Sequence, residues 1–345
     1  MTGARFQAVT ERYRELSIAV LGDFCLDRYL EIDPARHEVS LETGLPVHNV
    51  VNVRAQPGGA GTILNNLSAL GVGAIFPIGF LGEDGEGLEL LAALSKQPGV
   101  RLDYLVRTDQ RRTFTYCKPL VLAPNKPPVE LNRLDFKNWT PTPAVLEAHL
   151  LDRLRAAARF VNAIIVLEQV DIPDTGVVTE KVLACLKQVV EENPKFLVVS
   201  DSRRGLRGYP PVTLKMNAVE LGALTGARGP LALDEIKRAA GALALDRGRS
   251  VFVTLAERGI VAAAPNGDIE HIPALPVRGT IDIVGAGDAV TANITSALAA
   301  GATLREALEM ANAAGSVVIH KLGTTGTATV AEIADLITDR RTAMA

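Results

Sequence analysis

Much that would specialise a chain is missing from these 345 residues. The three cysteines, Cys25, Cys117 and Cys185, form neither an even framework nor a C-x-x-C pair, which excludes a disulfide scaffold and thiol redox chemistry and fits a reducing compartment. Cys25 and Cys185 read as small buried hydrophobes. Charge of neither sign dominates: 36 Lys and Arg stand against 39 Asp and Glu, a net of -3 that lacks the basic footprint of a nucleic-acid binder. No apolar run approaches the roughly 20 residues of a membrane-spanning helix. Residues 1–15 mix charged and polar side chains without the apolar core of a signal peptide, so a cytoplasmic protein is expected. Heptads, internal repeats and low-complexity tracts are absent, which excludes coiled-coil and solenoid architectures. No G-x-x-x-x-G-K-[ST] loop occurs, and no His or Cys cluster suggests a metal centre.

The chain is 48% hydrophobic and 22% charged, enough apolar material for a sizeable core without disorder. Its patterning alternates. Strands are predicted at 17–22, 74–78, 163–167, 196–200 and 250–255; helices at 61–70, 85–95, 143–158, 176–192, 232–246, 286–300, 303–320 and 330–338. This implies a doubly wound α/β fold, a mostly parallel sheet covered on both faces. Two segments, 37–54 and 111–135, break the alternation with short β-type runs and read as a lid, or as plain surface hairpins. Residues 123–128 form a turn-rich stretch that cannot be helical and is expected to be mobile.

The most informative segment is Asp282-Ile283-Val284-Gly285-Ala286-Gly287-Asp288, ahead of a run of small apolar residues. Two glycines allow a tight turn, and the helix behind them presents unpaired N–H groups and the positive end of its dipole to an anion. The structural alternative makes Asp288 a helix-start charge and Asp282 a turn acid. A dinucleotide fold does not fit, because the third glycine of G-x-G-x-x-G is Val290.

The segment resembles the D-T-x-G-A-G-D signature of the ribokinase-like carbohydrate kinases, the phosphofructokinase B family, and the resemblance runs over nearly the whole chain. Gly22-Asp23-Phe24-Cys25-Leu26-Asp27 looks like the first sugar-contacting turn, with Asp27 at the hydroxyl-binding position. Residues 57–66, with Gly58 and Gly59, are similar to the G-G-A-x-N-x-A element beside the sugar, although Thr62 or Ile63 replaces its asparagine, so that a hydrogen bond to substrate is weakened, lost or supplied by Asn65 or Asn66. Asn217-Ala218-Val219-Glu220 matches the N-x-x-E element, which in that family organises magnesium through water; its structural alternative is a helix cap. Thr254, Glu257 and Gly259 fall in the resembled nucleotide loop, and Asn312 on the adenine-side helix. Glu168 ends an apolar strand at a position resembling one that accepts sugar hydroxyls, or caps the following turn.

The resemblance implies a single kinase domain over residues 1–345 that uses ATP and Mg2+ to phosphorylate a small-molecule sugar hydroxyl, Asp288 taking its proton and the amides of Gly285, Ala286 and Gly287 stabilising the transferred group. It further implies a monovalent cation such as K+ near Asp282, and a homodimer paired through the lid. A helix 311–315 leading to Lys321-Leu322-Gly323-Thr324, together with residues 22–27 and 132–136, is similar to the kinase half of bacterial heptose 7-phosphate kinase/adenylyltransferases. This points to a phosphosugar such as D-glycero-D-manno-heptose 7-phosphate, with Arg111, Arg112, Lys118, Arg203, Arg204 and Arg207 as available cations. No nucleotide-transferring second domain is expected within this length. The alternatives are a kinase for an unphosphorylated sugar or nucleoside, and a silent sugar- or nucleotide-binding protein.

Overall fold

A computed structural model describes residues 1–124 and 126–342. Strand and helix alternate from residue 17 onward because the strands are near-continuous apolar runs, as sheets buried on both faces require. In Ser17–Gly22 every residue after the first is buried, and in Ala163–Glu168 all are. Nine strands form the main sheet in the order Ile269–Ile272, Ile260–Ala263, Val251–Thr254, Thr213–Asn217, Leu197–Ser202, Ala163–Glu168, Ser17–Gly22, Ala74–Gly82 and Leu105–Thr108. The last seven are mutually parallel, and the first two add antiparallel at the edge.

Helices cover both faces. On one, Ala144–Ala157, Glu180–Glu192 and Leu233–Arg247 pack over Ile164, Val166, Val198 and Leu214. Helix Glu180–Glu192 shows why: Val182, Cys185, Leu186 and Val190 fall on one stripe at helical spacing and are the residues it buries. On the other face Ala60–Ala69, Ala286–Ala299 and Leu304–Ile319 close over Ile18, Val20 and Ile165. Small residues let them approach closely, and every residue of 289–297 is buried.

A second sheet stands apart, with strand order Leu134–Phe136, Phe114–Val121, Phe24–Ile32 and Val50–Gly59, and with Val129–Glu130 paired to Phe114–Val121. It differs from the two predicted lid segments. Residues 24–27 of the segment 22–27, read in the sequence as a sugar-contacting turn, open its strand Phe24–Ile32, and part of the first lid segment is only a small hairpin of Glu38–Val39 with Pro46–Val47. The turn and bend at Pro124 and Lys126 flank Asn125, which lies outside the described residues.

Two departures from the sequence reading have physical reasons. The helix expected from residue 176 starts at Glu180, with Thr179 as its cap, because the Val177 amide donates instead to the buried Asp23 carboxylate at 2.7 Å. Gly3–Thr10, not expected as a helix, is capped by Thr2 and anchored by Phe6 and Val9.

Candidate active site

The carboxyl ends of the parallel strands carry Gly22, Glu168, Ser202, Asn217 and Thr254, and ligand crevices open there in such sheets. Helix Ala286–Ala299 points its N-terminus at this edge. Gly285 caps it at φ +82°, and a Cβ there would sit 2.7 Å from Thr325 Cγ2, so conformation and space both demand glycine. The Ala286 amide turns back to the Ile283 carbonyl at 3.3 Å, and the first regular helical bond runs from Ala289 to Gly285 at 3.0 Å. Of the expected Gly285–Ala286–Gly287 set, the Ala286 amide is thus engaged within the turn, while the helix start leaves the Gly287 and Asp288 amides without intrahelical partners. Asp282 accepts from the Val284 amide at 3.0 Å, its own amide donating to Ile319 at 2.8 Å, so it fixes this turn against the end of the next helix.

Asp288 stands on the first turn of that helix, its carboxyl pushed up to about 7, chiefly by burial and against the pull of Lys215, with Asp201 and Asp27 adding to the rise. That is the range in which a carboxylate can exchange protons near neutrality. Lys215 comes from strand Thr213–Asn217, is buried, and pairs with Asp201 Oδ2 at 2.6 Å; Thr291 donates to the same oxygen at 3.3 Å. A Cβ on Gly287 would lie 3.0 Å from Lys215 Nζ, so the ammonium packs beneath the glycine turn. Burial and Asp201 raise the Glu220 carboxyl, which Lys215 lowers. One ammonium thus faces three carboxylates, Asp201, Glu220 and Asp288. That surplus of negative charge is a setting a divalent cation fits, held through water as magnesium prefers. Among the described residues no group of three or more His, Cys, Asp or Glu side chains is arranged as a ready metal cage.

Asn217 and Glu220 adopt the structural alternative in full. Asn217 Oδ1 accepts from the Val219 and Glu220 amides at 2.9 Å each, and Glu220 Oε2 accepts from the Asn217 amide at 2.8 Å, a complete capping box. Nearby, Thr254 ends its strand with Oγ1 3.4 Å from the Met216 carbonyl, and Glu257 is exposed on the following turn. Gly259 has φ +92° and ψ -136°, with the Ile272 carbonyl oxygen only 1.9 Å from where a Cβ would be. Gly259→Ala should therefore cost about 1 to 3 kcal/mol, the scale of a side chain forced into glycine-only backbone, seen as a lower urea midpoint. Asn312 donates to the Pro273 carbonyl at 2.9 Å and so ties its helix to the loop before the glycine turn.

Facing this edge is the inner surface of the second sheet. Asp27 is buried, 3.0 Å from Lys118 Nζ, and a Cβ on Gly58 would strike Asp27 Oδ2 at 2.7 Å. Gly59, at φ +56°, passes so close to the Asp23 carbonyl that a Cβ would be 2.5 Å from it. Of the candidate replacements for the missing asparagine, Asn66 is committed elsewhere, donating to Thr62 at 3.0 Å and accepting from Ala328 at 3.3 Å, and Asn65 reaches the Pro57 carbonyl at 3.4 Å. Glu168, also buried, has both oxygens engaged: Arg204 Nη1 at 2.5 Å on one, Ser202 Oγ at 2.6 Å and Tyr209 OH at 3.1 Å on the other.

The cation clusters divide. Arg204 neutralises Glu168, Arg207 donates to the Ala223 and Leu224 carbonyls at a helix end, Arg111 holds Thr140, and Arg112 lies among Asp84 and Glu86. Arg203 instead reaches Tyr116 OH at 3.3 Å. Sequence reasoning missed Asp201 and Lys215, Gln56, and the Tyr116 group. The one signal for Lys215 was a charged residue in the apolar run Thr213–Asn217.

Residues 16–330 match the pfkB family of carbohydrate kinases. The bifunctional protein HldE of Azorhizobium caulinodans is 31% identical over 308 residues, 89% of this chain and 61% of that protein; the HldE of Gluconacetobacter diazotrophicus is 31% identical over 324 residues, 93% and 63%. The chain thus spans about three fifths of the length of these curated relatives. Among solved structures, Arabidopsis thaliana ribokinase complexed with ribose and ATP superposes with a TM-score of 0.65 at 19% identity, covering 93% of this chain and 98% of that one. Escherichia coli phosphofructokinase-2 in complex with fructose-6-phosphate gives 0.67 at 18% identity, covering 94% and 98%. These likenesses show a ribokinase-like fold.

Proposed function

We propose, since this chain belongs to the pfkB family of carbohydrate kinases, that it moves the γ-phosphoryl group of ATP directly to a hydroxyl of a phosphorylated sugar, Asp288 taking the hydroxyl proton. The observation that carries this reading is Asp288 itself, a carboxylate raised to about 7 at the mouth of an anion-ready helix. Asp27, Gly58 and Gly59 would hold the sugar against the second sheet, and the Gly287 and Asp288 amides would meet charge on the transferring group. Thr254, Glu257, Gly259 and Asn312 form the nucleotide side. Magnesium, when bound, would neutralise charge on the ATP phosphates, and Asp201 and Glu220 supply the carboxylates to hold it through water. Asp282 is a candidate for a monovalent cation, a reading in keeping with the fold neighbour phosphofructokinase-2 of Escherichia coli in complex with potassium.

The sugar class rests on the likeness to HldE proteins; D-glycero-D-manno-heptose 7-phosphate is the leading acceptor. Incubation with ATP, magnesium and a panel of six- and seven-carbon sugars and their phosphates, with and without potassium, tests it by ADP formation and product mass. Selective mass gain on a phosphosugar supports the reading, whereas saturable binding with no transfer favours a silent binding protein. Val39, Leu41, Leu45, Val51 and Val53 leave the lid with exposed apolar side chains, Leu41 fully so, which supports pairing with a second copy. A dimer in sedimentation equilibrium that falls to monomer on Leu41→Asp with Val51→Asp would bear this out.

A further inference from the structure

Opposed residues of adjacent strands carry their side chains on one face, and the register of the second sheet puts Gln56, Asp27, Tyr116 and Asp135 in one row across four strands. One end is pinned to the glycine turn: Gln56 donates to Thr325 at 2.9 Å, and the Thr325 methyl packs where a Gly285 Cβ would be. Asp27 lies one strand further on, and Tyr116 about 10 Å from Gln56, at two strand spacings of roughly 4.8 Å.

Three cations gather at that far end. Arg133 binds Asp135 through two bonds of 2.7 and 2.8 Å and stacks 4.4 Å over the Tyr116 ring. Arg203 crosses from the main sheet, Nη1 3.3 Å from Tyr116 OH and Nε 3.3 Å from Asp171 Oδ1. Lys137 holds the other Asp171 oxygen at 2.8 Å and lies 3.9 Å from Asp135. Three positive charges meet two carboxylates, and Asp171 is half-exposed and able to swing away. Lys137 and Asp171 also line a small cleft with Trp139, Phe114 and Val170 beside this cluster.

We propose that Arg133, Arg203 and Lys137 are an anion subsite for the phosphate monoester of the acceptor, at the end of the sugar opposite the reacting hydroxyl, with Asp171 occupying it when no acceptor is bound. Two planar guanidinium forks suit the several oxygens of a phosphate dianion, and the one from the lid and the one from the body would be bridged by it. The assignment rests on the phosphorylated-acceptor reading above.

Isothermal titration of the full chain, without ATP, with each phosphosugar of the panel and its unphosphorylated counterpart tests it. Wild type should bind the preferred phosphosugar more tightly than the bare sugar. Arg133→Ala and Arg203→Ala should each weaken phosphosugar binding about 10- to 100-fold, the scale of a charge-assisted contact, while leaving the bare sugar within about threefold. Arg207→Ala should change neither. Asp171→Asn should tighten phosphosugar binding, a gain that a merely structural role would not produce. A wild-type preference that survives both arginine substitutions overturns the subsite and leaves the acceptor class standing. Equal losses for both sugars also overturn it, as would tighter binding of the matching sugar acid than of the phosphate. Failure of wild type to favour any phosphosugar overturns the acceptor class itself.

Discussion

Asp288→Asn should lower the rate of phosphoryl transfer by about 100- to 10,000-fold, the usual contribution of a positioned general base, while the affinity for ATP changes little. The substitution is nearly isosteric, so the helix start and its outward amides persist and only proton acceptance is lost. Single-turnover transfer beside equilibrium ATP binding separates the two, and equal rates in variant and wild type would remove Asp288 from the mechanism. The pH profile is the companion test. With the carboxyl raised to about 7, the base is protonated below that value, so kcat/KM should fall about tenfold per pH unit on the acid side and level off above. In Asp288→Asn this limb should vanish.

Lys215→Met should be the most destabilising of these changes. It leaves the Asp201 carboxylate without its ammonium partner at 2.6 Å, beside Glu220 and Asp288. Removing one member of a buried pair typically costs about 3 to 5 kcal/mol, because the other charge stays desolvated. For a protein of this size that corresponds to a melting point lower by roughly 4 to 7 °C. The double variant Asp201→Asn, Lys215→Met removes both charges and should recover most of the loss, a coupling that calorimetry of the four proteins would measure. Lys215 holds the Asp288 carboxyl down and Asp201 pushes it up, so the acid limb should move above 7 in the single variant and back toward 7 in the double. If the single variant melts with wild type, the pair contributes little and Asp201 is hydrated rather than buried.

The sheet-and-helix alternation was legible because its signals are local: apolar runs for strands buried on both faces, helical stripes for the helices between them. Residues 24–32 were not, since Asp27, Arg28 and Glu31 interrupt the apolar pattern and only pairing with two neighbours makes the segment a strand. The short strands Thr213–Asn217, Ile260–Ala263 and Ile269–Ile272 are too brief to carry a period. Within the site, Gly285 to Asp288 was readable because turn, helix start and acid lie within four residues. The Lys215–Asp201 pair was not, since it joins two strands fourteen positions apart and a lone strand lysine reads as surface. Arg204 and Arg207 were assigned to substrate for the same reason, their partners Glu168, Ala223 and Leu224 lying 16 to 36 positions away.

Gln56 ties the two halves of the cleft together. Its amide donates to Tyr29 OH at 3.2 Å and to Thr325, and its oxygen accepts from Thr324 at 3.1 Å, while Thr325 abuts the Gly285 turn. The strand that carries Gly58 and Gly59 is thereby joined to the loop that abuts the Gly285 turn, so the floor of the acceptor's place and the wall of the anion-facing turn hold one another in position.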